Sequence, residues 1–272
     1  MKGIIMSDQP SPFLSLAVED GIAILSLDAP DELNAITMDR HRELEAVWHG
    51  LGEREDVRAI VLTGTGRAFS AGGDLRKMAD DAGTVQGLRN ALRLPRDGMR
   101  LIREMLAVPQ PVVAAINGDA VGLGLTLALI ADIGVVAEDA KLGDTHVKVG
   151  LVAGDGGAVI WPALVGMQRA KNFLLRGKLM SGAEAVANGL FAEALPREAV
   201  LDRAKTIAAE MAALPIWAVQ LTKASLNKQI EQQLNLVLDT SLAFEAMTMV
   251  TQDYAEATRA FADRRKPVYK GY

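Results

Sequence analysis

Residues 117–132 read NGDAVGLGLTLALIAD, from Asn117 to Asp132, and the reading of this stretch decides the fold. Between Ala120 and Ala131 only Thr126 is polar. A helix that is apolar on every side belongs inside a protein, so the sequence predicts a buried helix entered through the turn Gly122-Leu123-Gly124. The first turn of a helix leaves N–H groups unpaired and carries the positive end of the dipole, so it can receive an anion or a carbonyl oxygen that is becoming one. Glycines on both sides of Leu123 let a ligand approach the backbone. A glycine-rich turn with no ligand would look the same in this stretch alone.

A second stretch points the same way. Arg58 to Thr63 reads as a buried strand that empties into GTGRAFSAGGDL, residues 64–75, where Gly72 and Gly73 follow Ala71. Two glycine-flanked turns, each closing a strand, can offer one N–H apiece to a single oxygen.

Composition narrows the class. The chain has 272 residues, half of them apolar, which suits one large domain or a core with an appended piece. A net charge of −5 gives no general attraction for nucleic acid. The absence of cysteine removes disulfides, thiol nucleophiles and thiolate metal sites together. Apolar runs fall short of the roughly 18 residues that a membrane span needs, and no signal-peptide core is legible, so a cytoplasmic protein is expected.

Read in order, Met1 to Pro12 is polar and expected to be disordered. Phe13–Glu19 and Ile22–Asp28 flank Asp20-Gly21 as a hairpin. Thr37 can cap a helix through about Gly50, on which His41 and His49 are read as solvated residues rather than ligands. Residues 76–95 look charged and irregular, with a helix from Asp97 to Leu106. Strands at Val112–Ile116 and Ile133–Glu138 bracket the buried helix. Alternating strands and helices indicate α/β with right-handed crossovers. From about Val200 the chain turns to amphipathic helices, at 204–214, 217–228, 234–250 and 254–262, whose apolar faces suggest a contact between subunits. No Walker loop, complete dinucleotide glycine pattern, G-x-S-x-G elbow or H-E-x-x-H pair is present.

AFSAGGDL and NGDAVGLGLTLALIADI together resemble the two oxyanion-hole segments of the enoyl-CoA hydratase/isomerase (crotonase) superfamily, and the resemblance covers roughly Phe13 to Tyr272. It implies a spiral of ββα turns over residues 13–199 and a helical region over 200–272 that builds trimers or dimers of trimers. It places the oxyanion donors at the N–H groups of Ala71 and Leu123. CoA and acyl contacts are implied for Leu33, Asn34 and Ala35, for Ser70, Gly72, Asp74, Gly122 and Thr126, and for Phe261, Arg264 and Lys270 in the tail. CoA enters only as part of the substrate; no other cofactor and no metal is expected, nor a membrane partner.

The reaction depends on the acids and bases nearby. The superfamily's hydratases use two glutamates, and the positions matching them hold Thr126 and His146. A threonine hydroxyl is no base at neutral pH, so the proton chemistry falls to His146, the only histidine outside the first helical segment, with Asp155 in Ala-Gly-Asp-Gly-Gly turned back to orient it. The bland alternatives are a satisfied core histidine and a helix-capping aspartate. Asp144 and Asp119 are read as supporting or structural. The His-x8-Asp spacing and the Trp161-Pro162 pair also resemble a side branch, the β-diketone hydrolases of the 6-oxocamphor hydrolase type. Hydration or isomerisation of an enoyl-CoA is therefore expected first. Carbon–carbon hydrolysis of a β-diketone or β-ketoacyl-CoA, or CoA binding without catalysis, are the alternatives.

Overall fold

The computed structural model describes residues 13–272; the expected disorder of Met1 to Pro12 lies outside them. The chain opens with the antiparallel hairpin β1 (Leu14–Glu19) and β2 (Ile22–Leu27), closed by Asp20 and Gly21 at φ 50° and 77°, as a two-residue turn of this hand requires. Helix α1 (Met38–Gly52) starts where Thr37 Oγ1 accepts the Arg40 N–H at 3.3 Å. Then β3 (Ala59–Gly64), β4 (Ala68–Ser70), α2 (Leu75–Asp81) and α3 (Val85–Ala107) make one ββα turn. The next consists of β5 (Val112–Ile116), β6 (Asp119–Val121) and α4 (Leu123–Ile130). A third runs β7 (Ile133–Ala137), β8 (Lys141–Gly143), α5 (Gly157–Val165) and α6 (Met167–Leu174). The remainder is β9 (Met180–Ser181), α7 (Gly182–Ala187), β10 (Glu193–Leu195), α8 (Val200–Ala212), α9 (Ile216–Thr248) and α10 (Gln252–Ala262).

The strands form two sheets: β1-β2-β3-β5-β7-β10, parallel after the first pair, and β4-β6-β8-β9, parallel until the last. Each turn thus gives one strand to each sheet before its helix. This is the expected spiral. Every residue of β3 and β5 is buried, as strands covered on both faces must be, and all eight residues of α4 are buried.

Three expectations change. The charged segment 76–95 is helical: α3 runs through Pro95, held by a buried stripe that includes Ala91, Leu94, Leu101, Ile102 and Met105. Tertiary packing of that stripe outweighs the local charge pattern. Gly98 belongs to the same stripe because an added Cβ would come within 2.9 Å of Leu242 on α9. The two helices expected at 217–228 and 234–250 are one 33-residue helix, since residues 229–233 contain no glycine or proline to break it. Lastly, α8 buries Val200, Ala204, Ile207 and Ala208 against the larger sheet, so the carboxy-terminal helices begin inside the core.

Asn34 corrects a further reading. It is fully buried, its amide nitrogen lies 3.0 Å from the carbonyls of Thr65 and Ala68 and 3.1 Å from that of Phe69, and its oxygen accepts the Ala29 N–H at 2.9 Å. Ser70 is buried beside it, donating to the Asn34 carbonyl at 2.8 Å and accepting the Gly72 N–H at 3.2 Å. Both side chains spend their polar atoms on the backbone of the first glycine turn, leaving none for CoA. Asn34→Ala should therefore lower stability by about 2–4 kcal/mol, as buried groups left unpaired do. Urea unfolding checks this, and the binding of CoA itself by the folded fraction should not move.

Candidate active site

The parallel pairing of β4 with β6 sets the two glycine turns side by side. A Cβ on Gly72 would fall 2.4 Å from the Val121 carbonyl and 3.4 Å from the Leu123 nitrogen, which, with φ at +73°, explains the glycine. Ala71 is not a free donor: its N–H donates to the Leu33 carbonyl at 2.9 Å. Two residues on, the Gly73 N–H has no acceptor among the described residues, and the same holds for the Leu123 N–H at the start of α4. Both residues line one cavity of about 320 Å³. The first donor of the pair is thus Gly73 rather than Ala71, because the strand-like contact to Leu33 consumes the earlier N–H. Asp74 borders the cavity too, capping α2 through the Arg76 and Lys77 N–H groups.

His146 stands over Gly122: a Cβ there would lie 3.3 Å from ring atom Cε1. The short 3-10 turn His146–Val149 presents the ring. Its Nδ1 lies 2.7 Å from Asp144 Oδ1, and its Nε2 lies 3.4 Å from Asp155 Oδ2 and 4.0 Å from Glu245 Oε1. Asp155 also accepts the Thr126 hydroxyl at 3.2 Å. It does not cap α5, whose N-cap is Gly156. Glycines flank Asp155 because α9 and α4 close in on either side: a Cβ on Gly154 would meet the Ser241 carbonyl at 2.4 Å, and one on Gly156 would meet Thr126 Cγ2 at 2.7 Å.

The expected His146–Asp155 contact is present, yet the closest carboxylate is Asp144, which sequence reading had set aside as supporting. Asp119 is elsewhere, accepting the Lys141 N–H at 2.9 Å. Phe261, Arg264 and Lys270 do not line this chain's cavity. Ala35 is buried, with its carbonyl accepting from Arg40 Nη1 at 2.6 Å.

Two cavity residues were missed. Glu245 reaches the cluster from α9, where it lies on the buried face with Leu238, Ser241 and Leu242. A glutamate at an apolar-face position was the available signal. His41 was read as solvated but is 6 % exposed, because it shares the inner face of α1 with Leu44 and Trp48. The spacing of three and seven residues carried that information.

Burial alone would discharge His146, but the carboxylates of Asp144 and Asp155 outweigh it and hold the ring's pKa well above the ordinary value, as an imidazolium. Burial pushes Asp155 upward, and the charge of His146 with the hydrogen bonds from His146 and Thr126 reverses this, leaving it below the usual range. Glu245 goes the other way: burial, opposed by His146 and reinforced by Asp155 and Asp144, raises its pKa to about 8. At neutral pH the cluster is thus an imidazolium between carboxylates, next to a protonated glutamic acid. Asp144, His146 and Asp155 also bring ligand atoms within 4.8 Å of one another, the donor set a divalent cation would use. With a carboxylate on each ring nitrogen, the arrangement suits a proton.

Comparison with known proteins agrees in fold and family. The family described as enoyl-CoA hydratase/isomerase matches residues 17–272. The chain is similar to 1,2-epoxyphenylacetyl-CoA isomerase of Escherichia coli, at 31% identity over 95% of this chain and 98% of that protein. It is equally similar to (E)-benzylidenesuccinyl-CoA hydratase of Thauera aromatica, at 31% identity over 95% of this chain and 99% of the relative. Among solved structures, an enoyl-CoA hydratase/isomerase from Mycobacterium paratuberculosis superposes with a TM-score of 0.86 at 36% identity, covering 93% of this chain and 99% of that one.

The titration of Glu245 has a measurable consequence. Its folded pKa of about 8 exceeds the unfolded value, so its stabilising contribution is complete below the ordinary glutamate range and is lost as pH rises toward 8. Glu245→Gln cannot ionise. Its stability relative to wild type should therefore rise steadily from pH 5 to pH 8 and then level off, as read by urea unfolding at each pH. A difference independent of pH would show that Glu245 is not held protonated.

Proposed function

The chain belongs to the enoyl-CoA hydratase/isomerase family, and from that premise we propose that it adds water across the Cα–Cβ double bond of an enoyl-CoA. One observation carries this reading: two unpaired N–H groups, on Gly73 and Leu123, line the same cavity as the His146–Asp155–Glu245 cluster. The thioester oxygen sits between the two N–H groups, where developing enolate charge is stabilised; removing one such donor typically costs about 3–4 kcal/mol.

The glutamates of the family's hydratases are replaced by Thr126 and His146, and their work passes to Asp155 and Glu245. Asp155, ionised, takes a proton from water as the water oxygen bonds to Cβ. Glu245, protonated near neutrality, gives its proton to Cα of the enolate. His146 lies between them and restores both groups, giving its Nε2 proton to Glu245 and receiving the one on Asp155. A pKa near the working pH is what a donor of this kind needs. Asp144 holds the ring in place on Nδ1 and keeps it charged.

The relatives' names, a CoA-thioester hydratase and a CoA-thioester isomerase, support an acyl-CoA substrate. The His146–Asp155 contact also supports a second reading, water attack on the β-carbonyl of a β-ketoacyl-CoA or a β-diketone with carbon–carbon cleavage. Exposed Trp217, Leu221, Phe244 and Met247 on α9 support assembly as a homotrimer or dimer of trimers, in which Phe261, Arg264 and Lys270 can reach CoA across a subunit boundary.

Turnover of crotonyl-CoA followed by mass should show one water added, with kcat reduced about 10²- to 10⁴-fold by His146→Ala and by Glu245→Gln. Because Glu245 must be protonated to donate, wild-type kcat should fall as pH passes about 8, and Glu245→Gln should lose that limb. Cleavage of acetoacetyl-CoA into two fragments would favour the second reading. CoA thioesters bound but unchanged would overturn both.

A further inference from the structure

The 3-10 turn His146–Val149, which presents the His146 ring, is clasped by the last residues of the chain. Beyond α10 the tail doubles back along that helix. Glu256 accepts the Val268 N–H at 2.9 Å and both terminal nitrogens of Arg265. One helical turn earlier, Asp253 accepts the N–H groups of Lys270 at 2.7 Å and Gly271 at 2.8 Å, and its own N–H reaches the Tyr272 carbonyl at 3.0 Å. Hydrogen bonds to an ionised acceptor are roughly twice as strong as neutral ones, so these two carboxylates fix the path of the tail. On that path Tyr269 meets the turn: its hydroxyl donates to the Lys148 carbonyl at 2.5 Å. Gly150, at φ +73°, lies directly against α10, where a Cβ would fall 2.9 Å from Tyr254 Cα.

The two aspartates beside the His146 ring differ in what fixes them. Asp144 belongs to the same segment as the ring, and its Oδ1 accepts from ring Nδ1 at 2.7 Å and from the His146 backbone N–H at 3.2 Å. It moves with the turn. Asp155 belongs to the bend before α5 and is tied to Thr126 of α4, so its 3.4 Å separation from Nε2 is set by where the turn stands against the core. An N–H···O bond ordinarily closes at about 2.7–3.2 Å, which leaves this contact little room to lengthen.

We infer that Tyr269 is a positioning residue for the proposed reaction: through the Lys148 carbonyl it holds the 3-10 turn at the height that brings His146 Nε2 onto Asp155. The inference rests on the role given to His146 in the reading above. Tyr269 itself does not line the cavity. Without its hydroxyl the turn lifts, the Asp155 contact opens and the Asp144 contact is kept.

Imidazole proton–nitrogen spectra of the full chain labelled at histidine test this, because the sequence has only three histidines and His146→Ala identifies the signals of His146. In Tyr269→Phe the Nε2 proton should move upfield and exchange with water about fivefold faster or more, the fold-change of one lost hydrogen bond, while the Nδ1 proton stays where it is. With crotonyl-CoA, kcat should fall about three- to tenfold and KM should stay within about twofold. Asp253→Ala, which releases the tail, should give the same Nε2 shift, and the double variant should add nothing, as two changes acting on one contact do. An Nε2 signal unchanged in Tyr269→Phe overturns the inference, and so does an equal movement of both ring protons, which would mark general loosening. An Nε2 shift with kcat unchanged upholds the clasp and defeats the catalytic role of His146.

Discussion

An apolar helix that must be buried, but whose first turn must stay accessible, constrains the whole molecule. All eight residues of α4 are covered, and its two flanking strands, β6 before and β7 after, belong to different sheets. The helix thus follows a strand of one sheet and leads into a strand of the other, with its amino terminus directly after β6. There the Leu123 N–H is left without an intrahelical partner, as helix geometry dictates, and the turn of residues 71–73 closes against it through the space left by the absent side chain of Gly72. The donor pair is thus a by-product of burying α4, not a separate addition to the fold.

The second constraint is electrostatic. Three carboxyl groups and an imidazole occupy a volume from which water is largely excluded, and like charges at that density cannot all ionise. The system resolves by asymmetry. His146 takes a positive charge between Asp144 and Asp155, and Glu245, more distant from the ring, keeps its proton. Environments that push titratable groups apart are what separate an acid from a base within one site. Elements far apart in the chain impose the proximity: the 3-10 turn after β8, the glycine-flanked bend before α5, and the long helix α9, whose Ser241 carbonyl passes close enough that Gly154 can have no side chain.

Much of the fold was legible in local pattern. The hairpin at Asp20-Gly21, the Thr37 cap, the first five strands of the larger sheet and the buried helix all express short-range chemistry that packing reinforced. Where packing opposed local pattern, local pattern lost. The charged run of α3 became helical because one stripe of it faces the core, α2 because Asp74 caps its first turn, and α9 ran on unbroken because nothing in residues 229–233 stops a helix. The site was legible in part. His146 and Asp155 stood out by spacing and by flanking glycines, whereas Ala71 was misassigned because a sequence motif does not reveal which of three successive N–H groups the neighbouring Leu33 carbonyl will consume.

The sequence by itself determined the alternation of strands and helices, the two glycine turns and the identity of the histidine, because each depends on residues within a few positions of one another. Tertiary structure alone decided which N–H groups stay free, that Asn34 and Ser70 brace a loop, and that Asp144 rather than Asp155 lies nearest the ring. It also brought Glu245 and His41 into one cavity with His146, from helices that lie about two hundred residues apart in the chain. Protonation in that cavity depends on burial and on the sum of neighbouring charges, and neither quantity exists until the chain has folded.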